Sequence, residues 1–235
     1  MQISGQGAVI RCALKDAFSL PVFILFTTMI GFGSLARGAG FSEHMAWFST
    51  VFIWGLPGQL AMVDLTSAGQ NLLAIVVACS LANARFMPMV VSFLPWVNQG
   101  RFGFFKALLV AQMLSINSWA VCLREFPKIH RDWRRTYYLV FASSIIVAAV
   151  LGTFVGFYGA GELPPYVVLG FVFTSPLFFA LVLSSTKGAT VRWAMLFGCI
   201  LIPLTSRWLP SVDLLVTGLV GGTAAFLINR RKSQS

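Results

Sequence analysis

The sequence predicts an all-α integral membrane protein of about eight transmembrane helices, some of them discontinuous, with a candidate two-fold internal repeat. Three observations predict it. The chain is 57% hydrophobic and only 10% charged, against about 25% charged for an average soluble protein. Its apolar residues gather in segments close to the roughly 20 residues that cross a bilayer as a helix. Its basic residues cluster between those segments, more on one side than the other. A net charge of +10 could suggest nucleic acid, but no soluble domain is present to carry a basic binding face. The 235 residues read as one membrane domain, 1–235.

The elements follow in order. The first span, about Ala17–Ala36, lies between Lys15 and Arg37. A charged start before an apolar run imitates a signal peptide, but more membrane follows. The second span, Met45–Val63, ends at Asp64. The third, Asn71–Val97, contains Asn83 and Arg85. The fourth, about Ala107–Leu123, has a polar side of Gln112, Ser115, Asn117 and Ser118, read as glue between helices. A basic cytoplasmic loop, 124–136, marks the middle of the chain. The fifth and sixth spans are Tyr137–Ala160 and Leu163–Thr186. The seventh, Trp193–Ser206, and eighth, Leu214–Asn229, are short. Seven spans result if one segment is re-entrant or fused with its neighbour.

Charge favours eight. With both termini in the cytoplasm, the inside segments carry Arg11, Lys15, Arg124, Lys128, Arg131, Arg134, Arg135, Lys187, Arg192, Arg230, Arg231 and Lys232. The outside loops carry only Arg37, Arg101, Lys106 and Arg207. That bias is the one a multi-pass protein of the bacterial inner membrane shows. The halves 17–123 and 137–229 also correspond: a shift of 121 residues lays Gly31 on Gly152 and Gly40 on Gly161. Four spans per half would make parallel copies and an odd number inverted ones; transporters use both.

Two constellations carry chemistry. In the second span Gly55, Pro57, Gly58 and Gln59 lie together. Proline removes a donor and clashes with the preceding turn, and glycine loosens the backbone, so the helix should break. Ser175 and Pro176 fall near the same place in the sixth span, and interrupted helices at matching positions point to a midplane binding site. In the third span Asn83 and Arg85 interrupt an apolar run. A central arginine costs about 2.5–3.5 kcal/mol to insert, so it must face a polar interior. The two point about 200° apart on a straight helix; a break assisted by Pro88 would let both face one cavity. A guanidinium suits a carboxylate through paired hydrogen bonds. The alternative is a structural ion pair with Asp64, which is also the coupling-ion candidate.

Other features read more plainly. Gly152-x-x-x-Gly156 and Gly218-x-x-x-Gly222 permit close helix approach. Cys12, Cys79, Cys122 and Cys199 show no metal or disulfide spacing and read as small hydrophobes. His44 reads as interfacial and His130 as solvated. No nucleophile motif, zinc motif, P-loop or cofactor motif occurs, and no close pair of acids lies within a span.

Taken together these residues resemble the AzlC family, the large subunit of branched-chain amino-acid exporters. The pattern is Pro21, Gly31 and Gly33, Gly40, Ser49, Gly55 to Gln59, then Asn83 with Arg85. It covers about Ala17–Trp96. Phe86 stands where many members have histidine, and Pro57–Gly58 replaces small residues before the glutamine. The resemblance implies a non-enzymatic permease that exports leucine, isoleucine or valine, and sometimes methionine, by alternating access. It also implies a small AzlD-type membrane partner. A substrate site would then comprise Gly55, Pro57, Gly58, Gln59, Asn83, Arg85, Ser175 and Pro176. Two other classes compete: a membrane-embedded enzyme, which would need an acid–base or nucleophilic set, and a structural membrane subunit, which would not need a buried Arg85.

Overall fold

A computed structural model of the protein describes residues 5–84, 86–98, 103–159, 164–184, 189–208, 217–218 and 220–227. These residues are helical, joined by turns, with no strand among them. Helix α1 (Gln6–Ala17) packs on α9 (Arg134–Gly159) with Val9 and Ala13 fully buried. In the sequence this stretch reads only as a charged start. It is instead an amphipathic helix, because residues four apart share one face. Tyr137 Oη donates to Asp16 at 2.6 Å, tying the end of α1 to the beginning of α9.

Helices α2 (Leu20–Gly38) and α9 (Arg134–Gly159) form the central seam. Small residues decide how closely they approach. A Cβ on Gly152 would press on the Phe26 carbonyl and Met29, one on Gly156 would strike the Ile30 carbonyl, and one on Gly33 would strike the Thr153 carbonyl. At the far end Arg37 donates to the carbonyls of Phe157 (2.9 Å) and Tyr158 (3.2 Å). Residue numbers rise together along both helices, so α2 and α9 run parallel. The expectation for Gly152 and Gly156 therefore holds. Gly218 and Gly222 differ: a Cβ on either meets nothing within 4 Å.

The second, third and fourth segments are all broken. The second divides into α3 (Glu43–Phe52) and α4 (Leu56–Ser67). The third divides into α5 (Leu72–Asn83) and α6 (Phe86–Asn98), bent by 53°. The fourth divides into α7 (Phe104–Gln112) and α8 (Ile116–Glu125), bent by 104°. That bend makes the segment read there as one straight span a broken one. Ser115 and Ser118 form a reciprocal capping box that starts α8, so their hydroxyls serve the backbone locally rather than join helices. Two short 3-10 turns, Phe126–Lys128 and Arg131–Trp133, lead into α9.

Helix α10 (Pro165–Ser184) lies on α2, where Gly31 faces Phe171 and Val172. It runs unbroken past 175–176, so the interruption expected at Ser175–Pro176 does not occur. One proline without neighbouring glycines removes a single helical bond, and the helix continues. The side chains of Ser175 and Pro176 lie outside those described. Helix α11 (Ala189–Trp208) follows.

Among the described residues two helices are long and apolar enough to cross a membrane, Leu20–Gly38 and Arg131–Gly159. Counting each bent pair as one span gives up to four. Large apolar side chains such as Leu73, Phe104, Phe105 and Leu109 stand on the outer surface, where lipid would be their solvent. Of the cysteines, Cys79 and Cys122 are buried as read, whereas Cys199 is exposed.

Candidate functional site

The break between α3 and α4 organises the site. Trp54 adopts φ 49°, the one positive φ of a non-glycine residue among those described. A bulky residue in that region carries strain of about 1–3 kcal/mol unless its surroundings hold it there. Gly55 follows as the N-cap of α4 in an extended conformation, with no side chain capping the helix, and Pro57 sits in the first turn. Pro57 is therefore at a helix start, where its missing N–H costs nothing. The start of α4 presents the positive end of a helix dipole towards the break.

Breaking a helix in lipid frees carbonyls, and two side chains bind those at the end of α3. Asn83 Nδ2 donates to Ile53 O at 3.0 Å. Gln112 Nε2 donates to Phe52 O at 2.8 Å and Val51 O at 3.3 Å. Cys79 Sγ donates to Gly58 O, within the first turn of α4, at 3.2 Å. Gly55 O takes the Gln59 amide at 3.0 Å as the first bond of α4. Asn83 reaches in because the glycines leave room. A Cβ at Gly58 would come within 2.8 Å of the Asn83 amide, and one at Gly55 would collide with its oxygen.

Gln59 is fully buried. Its Nε2 donates to Thr50 Oγ1 at 3.1 Å and lies 3.5 Å from Ser49 Oγ. Thr50 Oγ1 pairs with Thr153 Oγ1 at 2.9 Å, and Thr153 returns to Ala149 O. A buried polar chain thus links the start of α4 through α3 to the central helix α9. Three buried atoms around the break have no hydrogen-bond partner in the protein: Trp54 Nε1, Gln59 Oε1 and Asn83 Oδ1. Leaving a buried polar atom unmatched costs about 1–3 kcal/mol. One donor and two acceptors are thus left over at a helix start.

A cavity of about 580 Å³ opens beside them, lined by Ile53, Trp54, Met62, Ile75, Asn83 and Val90, with further apolar residues from α5, α6 and α7. Its wall is largely apolar, with polar groups concentrated at the break.

Of the sequence-read residues, the structure brings Gly55, Pro57, Gly58, Gln59 and Asn83 together. Arg85 lies outside the described residues. The break expected between Asn83 and Arg85 is where α5 ends. Asp64 is exposed near the end of α4, which does not fit a dry buried pair. Trp54, Thr50, Thr153 and Gln112 were missed as partners of this site. Only Gln112 carried a signal, as an amide on a polar helix side. Among the described residues no group of His, Cys, Asp or Glu could hold a metal ion.

The model of the AzlC protein family matches residues 21–163. The chain belongs to the AzlC family. No curated protein and no solved structure matches it. Family and apolar helices together make it a membrane protein of a transport family.

Proposed function

For this AzlC-family chain we propose the role of permease in a branched-chain amino-acid exporter of the bacterial inner membrane, working by alternating access. One observation carries the reading: unmatched buried polar atoms at the start of α4 beside an apolar cavity. A branched amino acid is a small amphiphile with the complementary needs. Its carboxylate takes the amides at the start of α4 and the Trp54 indole N–H, and Arg85 adds a paired contact. Its ammonium takes the Asn83 and Gln59 oxygens. The carbonyls near the break are already bound by side chains, so the two amide oxygens are the acceptors left for it. Its side chain takes the apolar wall of Met62, Ile75 and Val90. Asp64 is the coupling-ion candidate in this reading.

The proposal includes eight crossings with both termini cytoplasmic. Parallel packing of α2 and α9 supports it, because an odd number of crossings must separate two parallel spans, and α3 to α8 form three pairs. It includes a parallel repeat as well. Under the 121-residue shift α2 answers α9 and α3 answers α10. The observed packing respects that exchange, with α10 against α2 and α3 against α9. An inverted repeat would set α2 and α9 antiparallel. Finally it includes a small AzlD-type subunit, for which the uncovered apolar face of α5 and α7 is available.

Counterflow of radiolabelled leucine tests the function. Proteoliposomes carrying the chain with its small subunit, preloaded with unlabelled leucine, should accumulate label transiently. Preloading with lysine should give none. Equal uptake under both conditions would remove the reading.

A further inference from the structure

A second site lies at the other end of the molecule, where α6 and the 3-10 turns meet the start of α9. Arg134 is a cation only 9% exposed. Its Nε donates to the carbonyls of Phe126 (3.1 Å) and Ile129 (3.2 Å). Its guanidinium lies over the rings of Trp96 (5.1 Å) and Phe126 (5.8 Å). All these partners are neutral. The nearby acids are engaged elsewhere: Glu125 holds Arg124 (2.9 Å) and Lys128 (2.8 Å), Asp132 lies 3.5 Å from His130, and Asp16 accepts from Tyr137. Among the described bonds the guanidinium uses Nε alone, which leaves its paired terminal N–H groups for an acceptor with two oxygens.

That acceptor has a place. A cavity of about 460 Å³ is lined by Arg134, Arg131, Trp96 and Pro95. Two arginines, one from the 3-10 turn and one from the start of α9, thus line a common space with an indole as its wall. Like charges so arranged repel, and a buried charge without a counter-ion is costly. An anion in the cavity relieves both. The surrounding stretch, Arg124 to Arg135, has five bases and two acids, and Trp133 within it and Trp96 beside it are of the type that sits at the level of lipid headgroups.

We propose that this cavity between Trp96, Arg131 and Arg134 binds a phosphate group, that of an anionic phospholipid headgroup. Two oxygens of the phosphodiester take the terminal N–H groups of Arg134, Arg131 closes over the third side, and the acyl chains run out along α6. The site is separate from the transport cavity and does not depend on what that cavity carries.

Native mass spectrometry of the purified full chain tests this, with phosphatidylglycerol and phosphatidylcholine offered in equal amounts. Retention of phosphatidylglycerol should exceed that of phosphatidylcholine by about tenfold, and exposed Arg131→Gln should reduce the preference about fivefold. Arg134→Gln should abolish it. That variant also loses two carbonyl contacts, so Arg131→Gln, which keeps them, decides if Arg134→Gln does not fold. Inorganic phosphate that displaces the lipid at millimolar levels would support a phosphate site open to the free anion. Failure to displace it would support a site specific for the lipid. Equal retention of the two lipids, or a preference unchanged in Arg131→Gln, would overturn the proposal.

Discussion

Two neighbouring regions of this molecule solve the problem of polar backbone in lipid in opposite ways. In the α2–α9 seam the helices are continuous, every turn is bonded along the helix, and glycines bring the backbones into contact. In the α3–α4 and α5–α6 region the helices are interrupted. Freed carbonyls are bound by amide side chains, and a few buried polar atoms remain unmatched. A continuous helix has nothing to offer a ligand, because its donors and acceptors are already used. An interrupted helix has groups left over. The seam is therefore the fixed frame, and the break is where chemistry can happen.

The comparison can be broken first at the seam. Gly156→Leu should cause the largest loss of folded protein, because its side chain would have to displace the Ile30 backbone. Even Gly156→Ala should cost about 1–3 kcal/mol, read as thermal unfolding in detergent. Gly159→Ala is the control three residues on: a Cβ there meets nothing within 4 Å, and its stability should stay within about 0.5 kcal/mol of the parent.

The break should respond with function more than with folding. Gly58→Ala pushes a methyl group against the Asn83 amide and displaces it from Ile53 O. Leucine counterflow should fall at least tenfold, while the thermal midpoint moves by only a few degrees. Gln59→Ala should also weaken transport strongly, since it removes an unmatched acceptor and the head of the Gln59–Thr50–Thr153 chain. Thr153→Val, at the far end of that chain on α9, should show an intermediate loss. Counterflow as strong as in the parent for both Gly58→Ala and Gln59→Ala would move the site away from the break.

How far the sequence showed this difference follows from the residues themselves. Proline flanked by two glycines is a local statement, and the break at Gly55–Gly58 was legible from it. So was the seam, through Gly152 and Gly156. The Ser175–Pro176 pair misled, because proline alone removes one bond and a helix tolerates that loss. What binds the freed carbonyls was not legible. Gln112 lies sixty residues from Phe52 in sequence, and only the fold brings the end of α7 to the end of α3. The positive φ of Trp54 likewise has no signal in its residue type, since tryptophan is among the last residues expected there. The amphipathic α1 was obscured by its charges, with only Val9 and Ala13 marking its buried face.

Smaller effects sharpen the contrast. Gln112→Ala removes the donor to Phe52 O and Val51 O and should lower stability by about 1–2 kcal/mol, measured by thermal unfolding, with transport kept in the molecules that remain folded. Asp64→Asn should leave expression and thermal stability close to those of the parent, because Asp64 is exposed. A collapse of that variant would instead favour a dry pair with Arg85.

In the proposed function the break opens on a water-filled cavity that takes an amino acid. Ser80 lines the same cavity, one turn before Asn83, and is itself no part of the proposed contacts. The most direct measurement is the rate at which a small, charged, water-soluble thiol reagent modifies Ser80→Cys on a background without the four native cysteines, with and without leucine. Modification should proceed readily and be slowed several-fold by leucine and not by lysine. An unreactive thiol, or one modified at the same rate whatever amino acid is present, would contradict it.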